Sequence, residues 1–225
     1  LEELMNPFES SSSSIEKARV LPLALATRTK PHLVIAFGTA GSRPGVAANG
    51  SVVVGRRVFV HDPLASEHDR AGMWTPPRAD TLVDSGFTIS AFRQLSAEAK
   101  YRAEARFLAA PIGATAPVVL AGNGFISLGV VNILDYDQYL WADRSATAAF
   151  DRANVRDGQV GSIETTHGVI RASCDGAFLF VSGIVDMDGL FDYQVTPRIY
   201  AQNFVGAHNA AVATTFLLPE LARLL

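Results

Sequence analysis

The residues best placed to do chemistry are two acids, Glu164 and Asp186, at opposite ends of one short unit. Between them run a small-residue helical segment over 165–173, a turn at Asp175-Gly176 and an apolar stretch from Ala177 to Ile184. A stretch without charge, bounded by turn residues, reads as a buried strand. Glu164 therefore opens a helix, and Asp186 emerges at the carboxyl end of a central strand, the end where open α/β sheets bind ligands. The two acids are expected to face one pocket. Each also has a purely structural use: Glu164 as the cap of its helix, Asp186 as a turn residue before Gly189.

A second candidate is Gly38-Thr39-Ala40-Gly41, which follows the apolar run Leu33–Phe37. Small residues at a strand end let a ligand approach the backbone, although a plain tight turn has the same composition. His61, Asp62, Glu67, His68 and Asp69 carry metal-ligand chemistry without a recognised ligand spacing. They read as a solvated loop, so neither metal nor cofactor is expected.

The rest of the chain must supply the elements that hold these residues. Residues 15–29 suggest a helix kinked at Pro22, behind the serine run Ser10–Ser14. Ser51–Val54 and Arg57–Val60 read as strands around Gly55, residues 61–81 as a polar loop and residues 90–109 as a helix. Val118–Ala121 is a further strand, followed by Gly122-Asn-Gly-Phe-Ile126. A mixed-face helix is predicted over 132–152, and an apolar helix over 200–225, broken or bent near Pro219. Strands alternating with helices argue for a three-layer α/β/α sandwich around a central mixed sheet.

Composition bounds the function. With 225 residues, 48% of them hydrophobic and 18% charged, the chain fits one large α/β domain. A net charge of −3 gives no support for nucleic acid or an anionic membrane as partner. No apolar run reaches spanning length, and no secretory leader pattern is visible. One cysteine, Cys174, allows no internal disulfide and fits a cytoplasmic location.

Four segments in order resemble the nucleoside phosphorylase superfamily (purine nucleoside and uridine phosphorylases). Within it the likeness is nearest to methylthioadenosine/S-adenosylhomocysteine nucleosidases. Lys30-Pro-His-Leu-Val-Ile-Ala-Phe-Gly-Thr-Ala-Gly41 looks like the family's "KPD" strand and its "GSAG" or "GTAG" turn, and Val53-Val-Gly-Arg-Arg-Val-Phe-Val60 is similar to its "VGD" continuation. Gly122-Asn-Gly-Phe-Ile126 resembles "SGDxFI", and Ser162-Ile-Glu164 with Gly183-Ile-Val-Asp186 resembles the "EME … xISD" pair. Ala201-x-Asn203 and Asn209-Ala-Ala211 fit the last helix. The likeness runs from about residue 15 to the end, and it implies that a first strand with a water-activating glutamate belongs upstream of Leu1.

The resemblance implies cleavage of a purine nucleoside's N-glycosidic bond through an oxocarbenium-like sugar. On that reading Asp186 protonates the purine, as a carboxyl with a pKa raised by burial can. Glu164 grips the ribose hydroxyls through charge-assisted hydrogen bonds. Ile163 lies under the sugar beside Ser162, Phe125 stacks on the base, and the Ile126 backbone reads its edge. Thr39, Ala40 and Gly41 line the water or phosphate site. A small-molecule nucleoside or base is the expected partner, and a homodimer or hexamer the expected assembly. The family's phosphorylases carry an arginine where this chain has Ala36, which favours water as nucleophile. Other departures are Asn123 for aspartate, Val185 for serine and Ser162 for the first glutamate. Phosphorolysis and non-catalytic nucleoside binding stand as the alternatives.

Overall fold

The structure, a computed structural model, describes residues 31–60, 81–83, 96–113, 115–121, 124–127, 150–151, 160–164, 167–172, 177–190, 194 and 199–223. They form strands β1 (Leu33–Ser42), β2 (Val52–Gly55), β3 (Arg57–Val60), β4 (Thr81–Val83), β5 (Val119–Ala121), β6 (Gly124–Ser127), β7 (Val160–Glu164) and β8 (Ala177–Met187). The helices are α1 (Ala97–Glu104), α2 (His167–Ala172) and α3 (Ile199–Leu221).

All eight strands join one mixed sheet in the order β4-β3-β6-β7-β1-β8-β2-β5. The expected apolar strand, β8, lies between β1, to which it runs parallel, and β2, to which it runs antiparallel. Its residues point alternately to two cores. Phe178, Phe180 and Ile184 pack with Ala36, Ala40, Val53 and Val58 on one face, where Ile170 of α2 joins them. Leu179 and Val181 pack on the other face with Val52, Val54 and four residues of α3: Ala210, Ala213, Leu217 and Leu221. A strand with both faces covered needs apolar residues at every position, which is why the run shows no alternation. Phe178, Leu179, Phe180 and Val181 are fully buried, and each such side chain contributes about 1.5–3 kcal/mol. Helices on both faces of a mixed sheet give the expected α/β/α sandwich.

Helix α3 approaches β8 more closely than ordinary side chains allow. A Cβ on Gly183 would lie 1.9 Å from the Gly206 carbonyl oxygen, and one on Gly206 would lie 2.4 Å from Cγ1 of Val185. Glycine at both positions lets helix and strand touch through their backbones. Farther along, Asn209 is fully buried and ties three segments together. Its Oδ1 accepts from Leu108 N at 2.8 Å, and its Nδ2 donates to Gly50 O at 2.7 Å and Leu108 O at 2.9 Å.

Several sequence expectations shift. The plain tight turn that the composition of Gly38–Gly41 also allowed is not formed: these residues are the second half of β1, which continues to Ser42. The small residues there admit neighbouring side chains rather than bend the chain. Helix α3 continues past Pro219 to Leu221, so the helix is not broken there. Within the stretch 90–109, helix spans Ala97–Glu104, begun by Ser96 Oγ accepting from Ala99 N at 3.1 Å. Residues 90–95, the helix expected over 15–29, most of the loop over 61–81 and most of the helix over 132–152 lie outside the described residues.

Candidate active site

The candidate site is built where β7, β1 and β8 meet. Gly41 on β1 pairs with Ile163 of β7 on one side and with Asp186 of β8 on the other. A Cβ added to Gly41 would lie 3.0 Å from Asp186 Oδ2 and 3.3 Å from Ile163 Cγ2. The glycine therefore leaves the gap that the Asp186 carboxylate and the Ile163 side chain share. A strand residue with a side chain would push into that carboxylate.

A one-residue slip in β8 aims Asp186 there. Ala40 pairs with Ile184 but Gly41 pairs with Asp186, so Val185 is an extra residue opposite the Ala40/Gly41 step. Such a bulge reverses the side-chain phase of everything after it. The cores record the reversal: even-numbered Phe178, Phe180 and Ile184 share a core with odd-numbered Met187. Unbulged, Asp186 would follow Ile184 into that apolar core. With the bulge, it stands beside Gly41 on the face of β8 that α3 covers. Asp186 is 7% exposed and occupies the next-to-last position of its strand. The strand ends in a turn where Asp188 N donates to Ser42 O at 2.6 Å and Gly189 takes a φ of 77°. Gln194 Oε1 supports this end, accepting from Met187 N at 2.8 Å and Asn49 Nδ2 at 3.1 Å.

Glu164, at the end of β7, is oriented by a different contact. Its Oε2 accepts from the backbone N–H of His167, the first residue of α2, at 2.6 Å. The capping use open in the sequence is therefore present. A carboxylate has about four lone-pair sites, more than the capping bond alone occupies. At 8% exposed, Glu164 is as buried as Asp186.

The remaining predicted residues divide between the two faces. Thr39 is partly exposed and pairs with Gly183, whose missing Cβ faces α3, so Thr39 shares the face of Gly41 and Asp186. Ala40 points the other way, into the core around Phe180, and could offer a ligand only its backbone. Ser162 precedes Ile163 and by alternation takes the face opposite to it; its Oγ is buried without a hydrogen-bond partner among the described residues. Phe125 and Ile126 lie on β6, where their backbones pair with Ser162 and Ile163; their side chains lie outside the described part. Asn123 also lies outside the described residues.

Two positions bear on phosphate. Ala36 is 1% exposed within the core, where a cation would be buried against Phe180. Arg43, just past β1, is ion-paired with Asp151. Among the described residues no group of His, Cys, Asp and Glu is arranged to hold a metal, and the cluster from His61 to Asp69 lies outside them. No helix among them is long and apolar enough to cross a membrane.

His167 was not singled out in the sequence. It is 2% exposed, and its Nδ1 shares a 3.3 Å hydrogen bond with Ser182 Oγ. The available signal was a histidine three residues after a helix-opening glutamate.

No family model and no curated protein matches this chain by sequence. Solved structures do match by fold. A methylthioadenosine/S-adenosylhomocysteine nucleosidase from Colwellia psychrerythraea, in complex with adenine, superposes with a TM-score of 0.57 at 14% identity, over 92% of this chain and 74% of that one. S-adenosylhomocysteine nucleosidase from Streptococcus pyogenes, with 5-methylthiotubericidin, gives 0.55 at 16% identity, over 94% and 76%. The Neisseria meningitidis nucleosidase, with methylthio-immucillin-A, gives 0.54 at 17% identity, over 91% and 76%. The chain has the fold of these nucleosidases.

Proposed function

We propose that this chain hydrolyses the N-glycosidic bond of a purine nucleoside. The observation that carries the reading is the junction of Gly41, Ile163 and Asp186, where a bulge turns a buried carboxyl onto the face that also holds Thr39. Asp186 gives its proton to N7 of the purine, and the bond between the sugar and the base breaks with its electron pair passing to the base. Water adds to the anomeric carbon, and the proton it loses to solvent is replaced on Asp186. Ile163 supports the flat, cationic sugar from beneath, and Glu164 accepts its hydroxyls. General-acid assistance of this kind is worth about 10²–10⁴ in rate.

Water is favoured over phosphate as nucleophile by the environments of Ala36 and Arg43. An arginine in place of Ala36 would have to be buried against Phe180, and Arg43 is engaged by Asp151. The adenine bound in the Colwellia structure supports a purine substrate. The reading includes a single domain that assembles as a homo-oligomer, which light scattering would check.

Release of adenine from adenosine and 5′-methylthioadenosine, with and without inorganic phosphate, tests the reaction. Release independent of phosphate is expected. Release that requires phosphate would replace hydrolysis by phosphorolysis. Nucleoside binding without release under either condition would leave a binding protein in the same fold.

A further inference from the structure

We infer that His167 is a positioning residue that references the Glu164 carboxylate to the same two strands that carry Gly41 and Asp186. This rests on the nucleosidase reading above. The imidazole sits over one cross-strand pair of the central sheet. Gly38 of β1 and Ser182 of β8 are partners in register. His167 Nδ1 shares its 3.3 Å hydrogen bond with Ser182 Oγ, and its Nε2 lies 3.3 Å from where a Cβ on Gly38 would stand. Gly38 thus supplies the recess and Ser182 the anchor, while the Phe180 ring lies 6.1 Å away, centroid to centroid. The same residue's backbone N–H donates to Glu164 Oε2 at 2.6 Å.

The two ends of His167 therefore do different jobs. Any residue could supply the backbone donor, but a short helix of six residues has little stability of its own. The position of that N–H depends on what pins the helix to the sheet. A buried imidazole hydrogen-bonded to β8 pins it at the residue that makes the contact. The pin lies one residue before Thr39 on β1 and one before Gly183 on β8, just ahead of the bulge. Without it, the donor to Glu164 moves with α2, and the carboxylate loses this tie to the strands that carry Asp186. Asp186 itself, held by the strand register, does not move.

The inference separates sugar binding from base binding. The probes are tubercidin, an adenosine with carbon in place of purine N7 and so no site for the proton that drives cleavage, and its free base. Calorimetry on the full chain should show wild type binding tubercidin more tightly than the base. His167→Ala should weaken tubercidin about tenfold, the loss of one well-placed hydrogen bond to a charged group, and leave the base within about twofold. His167→Asn, whose side-chain amide reaches the Ser182 hydroxyl, should recover most of the loss. Ser182→Ala should reproduce part of it without touching the imidazole. In a Glu164→Ala background, His167→Ala should change neither affinity further, because residues that act through one another are not additive. Equal loss for nucleoside and base, or an undiminished loss in the Glu164→Ala background, would overturn the positioning role and leave the nucleosidase reading standing. A wild type that binds nucleoside no better than base would sink the sugar-binding role of Glu164, and this inference with it.

Discussion

Asp186 and Glu164 are equally buried carboxyls at strand ends, yet opposite kinds of structure set their directions. Asp186 is aimed by register: the extra residue Val185 turns it from the Phe180 core onto the Gly41 face. Glu164 is held by a hydrogen bond from the backbone of the first residue of a short helix. A sheet register shared by neighbouring strands is stiff, since a one-residue slip would move every later side chain to the wrong face. A helix cap is local and is worth about 0.5–2 kcal/mol. The molecule thus assigns the more rigid device to the group proposed to transfer a proton. The adjustable one serves the group proposed to hold the sugar.

Substitutions at each acid and its support would break or sharpen that contrast. Asp186→Asn keeps the shape and removes the proton, so purine release should fall about 10²–10⁴-fold. Tubercidin binding, measured by calorimetry, should stay within about threefold, since the loss lies in the reaction rather than in the grip. A mutant that releases purine at the normal rate would remove Asp186 from the mechanism. Glu164→Ala should instead raise KM for the nucleoside about ten- to hundredfold, as expected for a hydrogen-bonded charge, and leave affinity for free adenine nearly unchanged. If kcat alone fell, Glu164 would be acting on the reaction and the proposed division of labour would fail.

Gly41→Ala tests the stiff device directly, because its Cβ would meet Asp186 Oδ2 at 3.0 Å. The carboxylate must yield by a few tenths of an ångström, and kcat should fall about tenfold with KM little changed. Steady-state kinetics would show it, and an unaltered kcat would mean that the position of Asp186 is not critical. The smallest change is expected at Ser162. Its buried Oγ has no hydrogen-bond partner among the described residues, so Ser162→Ala should shift unfolding free energy by under about 0.5 kcal/mol in denaturant melts. A loss beyond about 1 kcal/mol would reveal a partner for that hydroxyl.

Packing chemistry made much of the architecture legible in advance. The uncharged run from Ala177 read as a buried strand, and the small, apolar tail after Tyr200 as a helix packed over the sheet; β8 and α3 are those elements. The order of small-residue segments pointed to the fold of the nucleosidases even though no family model and no curated protein matches the chain by sequence. The composition of Gly38–Gly41 left a plain turn open because small residues serve two ends. They bend a free chain, or they clear space for a neighbour, and only the neighbours His167 and Asp186 distinguish the two.

By itself, then, the sequence determined that the run from Ala177 is buried, that helices cover a mixed sheet, and that Asp186 lies at the end of a central strand, although Phe37, read as part of a buried strand, is exposed. Only the tertiary structure decided which face Asp186 joins. A run of Phe-Leu-Phe-Val-Ser-Gly-Ile-Val is apolar on both sides, so a slip of one residue leaves no mark in its pattern. The slip becomes visible when β1 supplies the register and Met187 is found in the core of Phe180. The anchoring of Glu164 through His167 was hidden for the same reason: it depends on Gly38 and Ser182 becoming neighbours across two strands far apart in the chain.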